Sequence, residues 1–173
     1  MKTRAILFLG IILLAACSKP DTSLLEDARH AEAENDFATA TTLYQQIIDE
    51  FPDGKAAPEA MYRLAAIYQN HKNEPLKAAT LYEKIHAKYP ESQYAHRGLF
   101  IAGFTYANEL MNETKARAAY EMYLEKYPDS AMAKEASFEL QTLGRTPDEV
   151  LSAMRDTVKE VEHDTELMQP KKR

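Results

Sequence analysis

The chain has 173 residues, a formal charge of −6, one cysteine and five glycines. An acidic protein is a poor candidate for binding nucleic acid or anionic lipid through its surface. No glycine stands in a phosphate-binding run, and no two of the five histidines have the i, i+4 spacing of a zinc site. With its carboxylates scattered, the sequence predicts no catalytic group, metal, cofactor or small-molecule substrate.

The chain begins with a short targeting signal. Lys2 and Arg4 precede an apolar run over 5–14, which is shorter than the roughly 20 residues of a membrane span and predicts a secretory signal. Residues 14–17, Leu-Ala-Ala-Cys, resemble the lipobox of bacterial lipoproteins. The resemblance implies that residues 1–16 are removed and that Cys17 carries a lipid. The alternative is a plain secretory signal with an incidental thiol at Cys17.

The lipobox resemblance also implies a position in the cell. Ser18 after the cysteine implies sorting to the outer membrane, with the mature chain, of charge −8, on the periplasmic side. Residues 17–22 form the lipidated cysteine and a short tether. Its five residues after Cys17 can reach no more than about 18 Å. We therefore expect the first structural unit to stay near the membrane surface.

An aromatic-proline pair recurs with a step of 38 residues, at Phe51-Pro52, Tyr89-Pro90 and Tyr127-Pro128. A fixed period of this size predicts stacked supersecondary units. Before each pair, a small residue and two larger ones stand at i, i+4 and i+7, which lie on one side of a helix. Each unit is therefore predicted to end in a helix with one buried stripe, and the proline ends that helix. The columns are Ala40, Ala78 and Ala116; Tyr44, Tyr82 and Tyr120; Ile47, Ile85 and Tyr123.

Another helix precedes each of these. It reads Met61-x-x-Leu64-Ala65-x-x-Tyr68 in the middle unit, and the next unit repeats the pattern from Leu99 to Tyr106. Polar residues separate the two helices of a unit. Asn73 and Asn112 are the predicted N-caps of the second helices.

This pattern resembles the tetratricopeptide repeat. The resemblance implies an all-α, right-handed solenoid of helical hairpins over residues 23–144, with three repeats and a half repeat at 133–143. The spacing of 38 exceeds the usual length of about 34. The first unit is degraded, with Asp27 where a leucine is expected. Terminal units of such arrays are commonly atypical because one face meets water.

A further helix is predicted over 145–166. Gly144 would cap the preceding helix, and Thr146-Pro147-Asp148-Glu149 reads as a capping box. This helix would cover the open end of the last repeat, as solenoids require. Alternatively, it binds a partner or self-associates. Residues 167–173 are predicted to be a basic, disordered tail.

The first helices of such hairpins line the concave side of the solenoid, where partners would bind. One column of apolar residues and several polar neighbours are predicted to form a groove for an extended peptide or a partner helix. The alternative is that the rings only pack between hairpins. The predicted groove residues are Leu25, Arg29, Tyr62, Gln69, Arg97, Phe100, Phe104, Asn108 and Phe138.

The predicted function is that of a lipid-anchored scaffold that binds other envelope proteins. The chain is similar to the lipoprotein subunit of the outer-membrane β-barrel assembly machine, which implies a role in outer-membrane protein assembly. It also resembles the repeats of the periplasmic coordinator of cell division and Tol-Pal. That resemblance leaves a division role open, as well as peptidoglycan binding and self-assembly.

Overall fold

The computed structural model describes residues 20–155 and Lys159, and this part of the chain is helical without strands. The predicted signal peptide, Cys17 and the predicted basic tail lie outside the described residues. A further helix, α8, covers 147–155. The helices that precede it are α1 (Asp21–Ala33), α2 (Phe37–Glu50), α3 (Ala57–Asn70), α4 (Pro75–Lys88), α5 (Gln93–Asn108), α6 (Glu113–Lys126) and α7 (Ala133–Thr142).

From α1 to α7, each helix packs on the next one in the chain, so α1/α2, α3/α4 and α5/α6 are three stacked hairpins. Helices α7 and α8 follow in the place of a fourth. This arrangement confirms the predicted solenoid of tetratricopeptide-like repeats. No helix among residues 20–155 is both long and apolar enough to cross a membrane.

The three aromatic-proline pairs end equivalent helices with the same backbone geometry. Phe51, Tyr89 and Tyr127 have φ/ψ of −127/52°, −132/58° and −131/50°. The proline that follows disfavours α geometry at these residues and cannot continue the hydrogen-bond ladder. The predicted corners of the repeat are therefore confirmed.

The tyrosines at these corners also join successive hairpins. The hydroxyl of Tyr89 donates to the carbonyl of Pro52 at 2.6 Å, and that of Tyr127 donates to the carbonyl of Pro90 at 3.3 Å. Each corner is thereby hydrogen-bonded to the corner one repeat earlier. The first corner has Phe51 instead, and no earlier corner precedes it among the described residues.

The turn inside each hairpin contains one residue with positive φ, again at steps of 38: Asn35 (60°), Asn73 (50°) and Met111 (49°). Asparagine adopts this conformation more readily than other non-glycine residues. The prediction of Asn73 as an N-cap was therefore wrong, because Asn73 occupies the turn and Glu74 is the N-cap before Pro75. Asn112 is an N-cap as predicted, since its side chain accepts from the backbone N–H of Lys115 at 3.1 Å.

The repeated small and aromatic columns form the core. All six alanines and tyrosines of the two columns are buried. Small residues on the first helices admit the rings: a Cβ on Gly103 would lie only 2.8 Å from the ring of Tyr120. This close approach packs α5 against α6, the two helices of the third hairpin.

The end of the last repeat has the predicted caps. Gly144, with φ of 79°, follows the C-cap residue Leu143 at the end of α7. The backbone N–H of Thr146 donates to the Glu149 carboxylate at 2.7 Å, and the N–H of Glu149 donates to the Thr146 hydroxyl at 3.4 Å. This reciprocal pair is the predicted capping box. Leu151 and Met154 of α8 stay exposed, so the described part of this helix covers the last repeat incompletely.

Candidate functional site: the surface of the first helices

The first helices of the hairpins are linked side by side. Arg29 on α1 is hydrogen-bonded to Glu59 on α3, and the Gln69 amide on α3 donates to the Thr105 hydroxyl on α5 at 3.1 Å. Gln69 also donates to Glu109. We call the surface shared by α1, α3, α5 and α7 the first-helix face. Arg29 and Gln69, two predicted groove residues, therefore help to join the helices beneath it.

The predicted apolar column is divided between core and surface. Leu25 is 7% exposed and belongs to the core of the first hairpins. Tyr62 is partly buried, with its ring 5.4 Å from that of Tyr82 and 5.3 Å from that of Tyr94. Phe100, on α5, packs against α6 in the same way, and its ring is 5.8 Å from that of Tyr120. These three side chains pack between helices.

The other predicted residues lie on the surface of the third and fourth hairpins. Phe104 and Phe138 are 41% and 42% exposed. Arg97 and Asn108 are exposed, and the Asn108 amide donates to the backbone carbonyl of Phe104 at 3.1 Å. The exposed aromatic part of the predicted groove is thus confined to the C-terminal half of the first-helix face.

The N-terminal half carries a charge cluster around the buried carboxylate of Glu59, which was not among the predicted site residues. The Glu59 side chain is 10% exposed. It accepts from Arg29 Nε at 2.9 Å, from Arg29 Nη2 at 2.6 Å and from Arg63 Nε at 2.6 Å. Arg63 reaches Glu32 at 3.1 Å, and Glu32 accepts from the Tyr44 hydroxyl at 2.6 Å. The cluster joins α1 and α2 of the first hairpin to α3.

The electrostatics of the cluster keep Glu59 ionised. Burial opposes its charge, but hydrogen bonds from Arg29, Arg63 and Tyr94 outweigh that effect and lower the pKa of the carboxyl group. Tyr94 lies on α5, and burial together with its hydrogen bond to Glu59 raises the pKa of the phenol. One carboxylate therefore interacts with the first helices of three successive hairpins.

Only part of this cluster had a signal in the sequence. Glu59 and Arg63 are four residues apart, which is the spacing of an ion pair on one helix. The residues 38 positions after Glu59 and Arg63 are Arg97 and Ile101, so the pattern does not repeat. A search for periodic columns therefore passes over it.

An apolar groove lies at the C-terminal end of the first-helix face and has a volume of about 640 Å³. It runs between the end of α5, helix α7 and helix α8. Its exposed apolar side chains are Met111, Phe138, Leu151 and Met154. We call it the terminal groove. Phe138 and Asn108 are the two predicted groove residues that line it.

No cluster of metal-binding side chains accompanies these surfaces in the part that the structure describes. Residues 20–155 contain no group of three histidine, cysteine, aspartate or glutamate side chains that could hold a metal ion. Glu59 is the most buried carboxylate of the described residues, and its oxygens are occupied by arginines. What the site offers is exposed apolar surface with polar neighbours, which is the composition of a docking surface.

A comparison with known protein families shows which family this chain belongs to. The sequence profile of the YfiO family, described as outer membrane lipoprotein, matches residues 18–147. The chain belongs to this family. The match begins directly after Cys17 and ends at the first residue of α8, so it contains all three complete hairpins and α7. The predicted resemblance to a repeat-containing outer-membrane lipoprotein is thereby confirmed.

The repeat architecture of this YfiO-family chain also resembles that of a solved structure. The tetratricopeptide-repeat domain of Sgt2 from Aspergillus fumigatus aligns with a TM-score of 0.51 and 21% identity, covering 88% of this chain and 86% of that one. At this identity the likeness concerns the fold alone. No curated protein sequence is significantly similar to the chain. Family and fold together support a lipoprotein scaffold of the outer membrane.

Proposed function

We propose that the chain is a non-enzymatic scaffold that is anchored to the outer membrane through lipidated Cys17, faces the periplasm and binds another envelope protein on its first-helix face. The observation that carries this proposal is the family match over 18–147, which includes the three complete hairpins of the solenoid and α7. Residues 1–16 would be the signal peptide. The short tether would end where α1 begins, at Asp21, and would hold α1 close to the membrane.

The partner would be bound by the third and fourth hairpins. Phe104 and Phe138 supply exposed aromatic surface there, and Arg97 and Asn108 supply exposed polar groups. Aromatic and arginine side chains are the usual anchors of protein interfaces. Leu25, Arg29, Tyr62, Gln69 and Phe100 would contribute indirectly, because they pack or join the first helices with their neighbours along the solenoid.

The proposed pathway is outer-membrane protein assembly, as the resemblance to the barrel-assembly lipoprotein implies. The identity of the captured protein distinguishes this pathway from the alternatives. Recovery of barrel proteins or of other assembly subunits favours it. Recovery of division or Tol partners would favour the coordinator role instead, and binding to purified sacculi would favour a peptidoglycan-binding module.

The test compares Phe104→Ser with Met122→Ser in the full lipidated chain. The two side chains are 41% and 43% exposed, but Phe104 lies on α5 and Met122 on α6, the second helix of the same hairpin. Partners are captured from membranes in mild detergent and quantified by mass spectrometry. We expect Phe104→Ser to reduce recovery of a specific envelope protein at least about fivefold, a loss of roughly 1 kcal/mol, with Met122→Ser unchanged. Equal recovery would contradict a first-helix binding site.

Localisation is tested separately. Cys17→Ser in the full chain removes the atom that would carry the lipid. We expect this variant to leave the outer-membrane fraction while keeping its helical circular dichroism signal. Retention of Cys17→Ser in that fraction would contradict lipid anchoring through Cys17.

A further inference from the structure

The terminal groove gathers most of the exposed apolar surface of the described chain. Seven large apolar side chains are exposed between residues 20 and 155, and four of them line this one groove: Met111, Phe138, Leu151 and Met154. The other three, Leu76, Phe104 and Met122, lie on three different helices. A concentration of apolar surface rimmed by polar groups is typical of an interaction site.

The backbone conformation of Met111 independently supports an interaction site at the terminal groove. It has φ of 49° and is 78% exposed, whereas asparagine occupies the equivalent left-handed position in the first two hairpins. Methionine is a disfavoured residue in this conformation. A disfavoured backbone that presents an apolar side chain to solvent is a mark of a functional position. Met111 and Met154 also have flexible side chains, which adapt to varied apolar partners.

The charges of the groove select the partner. Glu113 and Glu139 line it and have no ion-pair partner among the described residues, whereas Arg145 is the one basic side chain of its lining. Gly144 leaves room for the Glu113 carboxylate in the lining of the groove, since a Cβ on Gly144 would lie only 2.8 Å from Glu113 Oε2. The acidic excess matches the net negative charge of the chain and favours a basic partner.

A second copy of the chain fits this groove poorly. Outside the groove, no described helix exposes two large apolar side chains on one face. Helix α8 lines the groove itself, so it could meet a second copy only face to face. In such a symmetric contact the acidic walls of the two copies would oppose each other.

We propose that the terminal groove binds an amphipathic helix of another protein, whose apolar stripe is flanked by lysine or arginine. Apolar side chains at i, i+3 or i+4 and i+7 would contact Phe138 and Met154 in the groove lining, and the basic flank would face Glu113 and Glu139. This inference rests on the proposed scaffold function and assigns to it a site and a partner chemistry.

The experiment places a photoreactive benzophenone amino acid in the full chain, in living bacterial cells, at one position at a time. Positions 111 and 151 probe the terminal groove, position 104 probes the remaining first-helix face, and position 122 is the background control. Crosslinked peptides are identified by mass spectrometry. We expect positions 111 and 151 to capture the same segment of another protein, with apolar residues at helical spacing and at least two flanking basic residues.

Charge reversal tests the acidic walls. Glu113→Lys combined with Glu139→Lys should reduce the yield from position 151 about tenfold. The pair Glu113→Gln with Glu139→Gln, which disturbs the fold less, should reduce it about threefold. Glu91→Lys with Glu121→Lys, exposed acids outside the groove lining, gives the same net charge and should leave the yield unchanged.

Three results would overturn the inference: capture of residues 160–173, of a second copy or of lipid; capture of a segment without apolar spacing or basic flanks; or a yield no greater than at position 122. If position 104 captures a partner while 111 and 151 do not, only this inference fails and the proposed first-helix site stands. If none of the three positions captures a protein, both fail.

Discussion

The buried carboxylate of Glu59 should fix the first hairpin to the second, and Glu59→Gln tests this. The substitution keeps the shape and one acceptor oxygen of the side chain but removes the charge that Arg29 and Arg63 share. Three hydrogen bonds from guanidinium groups reach this carboxylate, at 2.6 to 2.9 Å. A hydrogen bond to a charged group contributes about 1.5–3 kcal/mol in favourable cases.

Solvent screening reduces this figure. The Arg29 and Arg63 side chains are 36% and 37% exposed, so part of their charge remains hydrated after the substitution. We therefore expect Glu59→Gln to lower the free energy of unfolding by about 2 kcal/mol, which corresponds to a decrease in Tm of roughly 4–8 °C. Glu26→Gln is the matched control, because Glu26 also pairs with Arg29 but its side chain is 71% exposed. It should cost only about 0.3 kcal/mol.

Native-state hydrogen exchange shows which helices lose stability in Glu59→Gln. Repeat proteins are stabilised by contacts between neighbouring units, so weakening one interface should release the terminal hairpin first. We expect the amides of α1 and α2 to lose protection in Glu59→Gln, while those of α5 and α6 change little. A double-mutant cycle with Arg29→Gln should show a coupling of about 1–2 kcal/mol. A destabilisation no larger than that of Glu26→Gln, or an even loss of protection along the chain, would refute the reasoning.

Three further changes can be checked by urea unfolding. The Tyr120 hydroxyl is buried without a hydrogen-bond partner among the described residues, so Tyr120→Phe should stabilise the protein by about 1 kcal/mol. Tyr44→Phe should destabilise it, because this variant loses the hydrogen bond to Glu32. Equal effects of the two substitutions would contradict this difference. Met111→Asn should add about 1 kcal/mol by relieving the left-handed methionine, and a loss of stability would show that the position is not strained. Burial lowers the pKa of His86 and of His96, so the unfolded state binds protons first as the pH falls below about 6.5. The free energy of unfolding should therefore decrease between pH 6.5 and 5. Replacing both histidines with glutamine should make this dependence on pH less steep. An unchanged slope would exclude these histidines as its source.

The repeat itself could be read from the sequence because its determinants are local. A proline at a fixed spacing ends a helix wherever it occurs, and alanine and tyrosine at i and i+4 mark a buried stripe without knowledge of the neighbours. Pro52, Pro90 and Pro128 therefore marked every corner correctly. The capping box at Thr146 was equally local.

The division between core and surface could not be read in this way, because the neighbouring hairpin decides it. Leu25, Phe100 and Phe138 occupy one column, yet Leu25 is buried, Phe100 packs on α6 and Phe138 is exposed where no complete hairpin follows. The hydrogen bonds of Tyr89 and Tyr127 to earlier prolines were also hidden, since each joins residues 37 positions apart. Contacts between units depend on how the hairpins stack, which periodicity alone does not specify.

The most direct test of the account is hydrogen exchange of the full lipidated chain, measured alone and with its captured partner. We predict that binding increases protection at the C-terminal end of α5, along α7 and in the turn containing Met111. Helices α2, α4 and α6 should change little. Protection confined to α2, α4 and α6 would contradict the central claim that the chain binds proteins on its first helices.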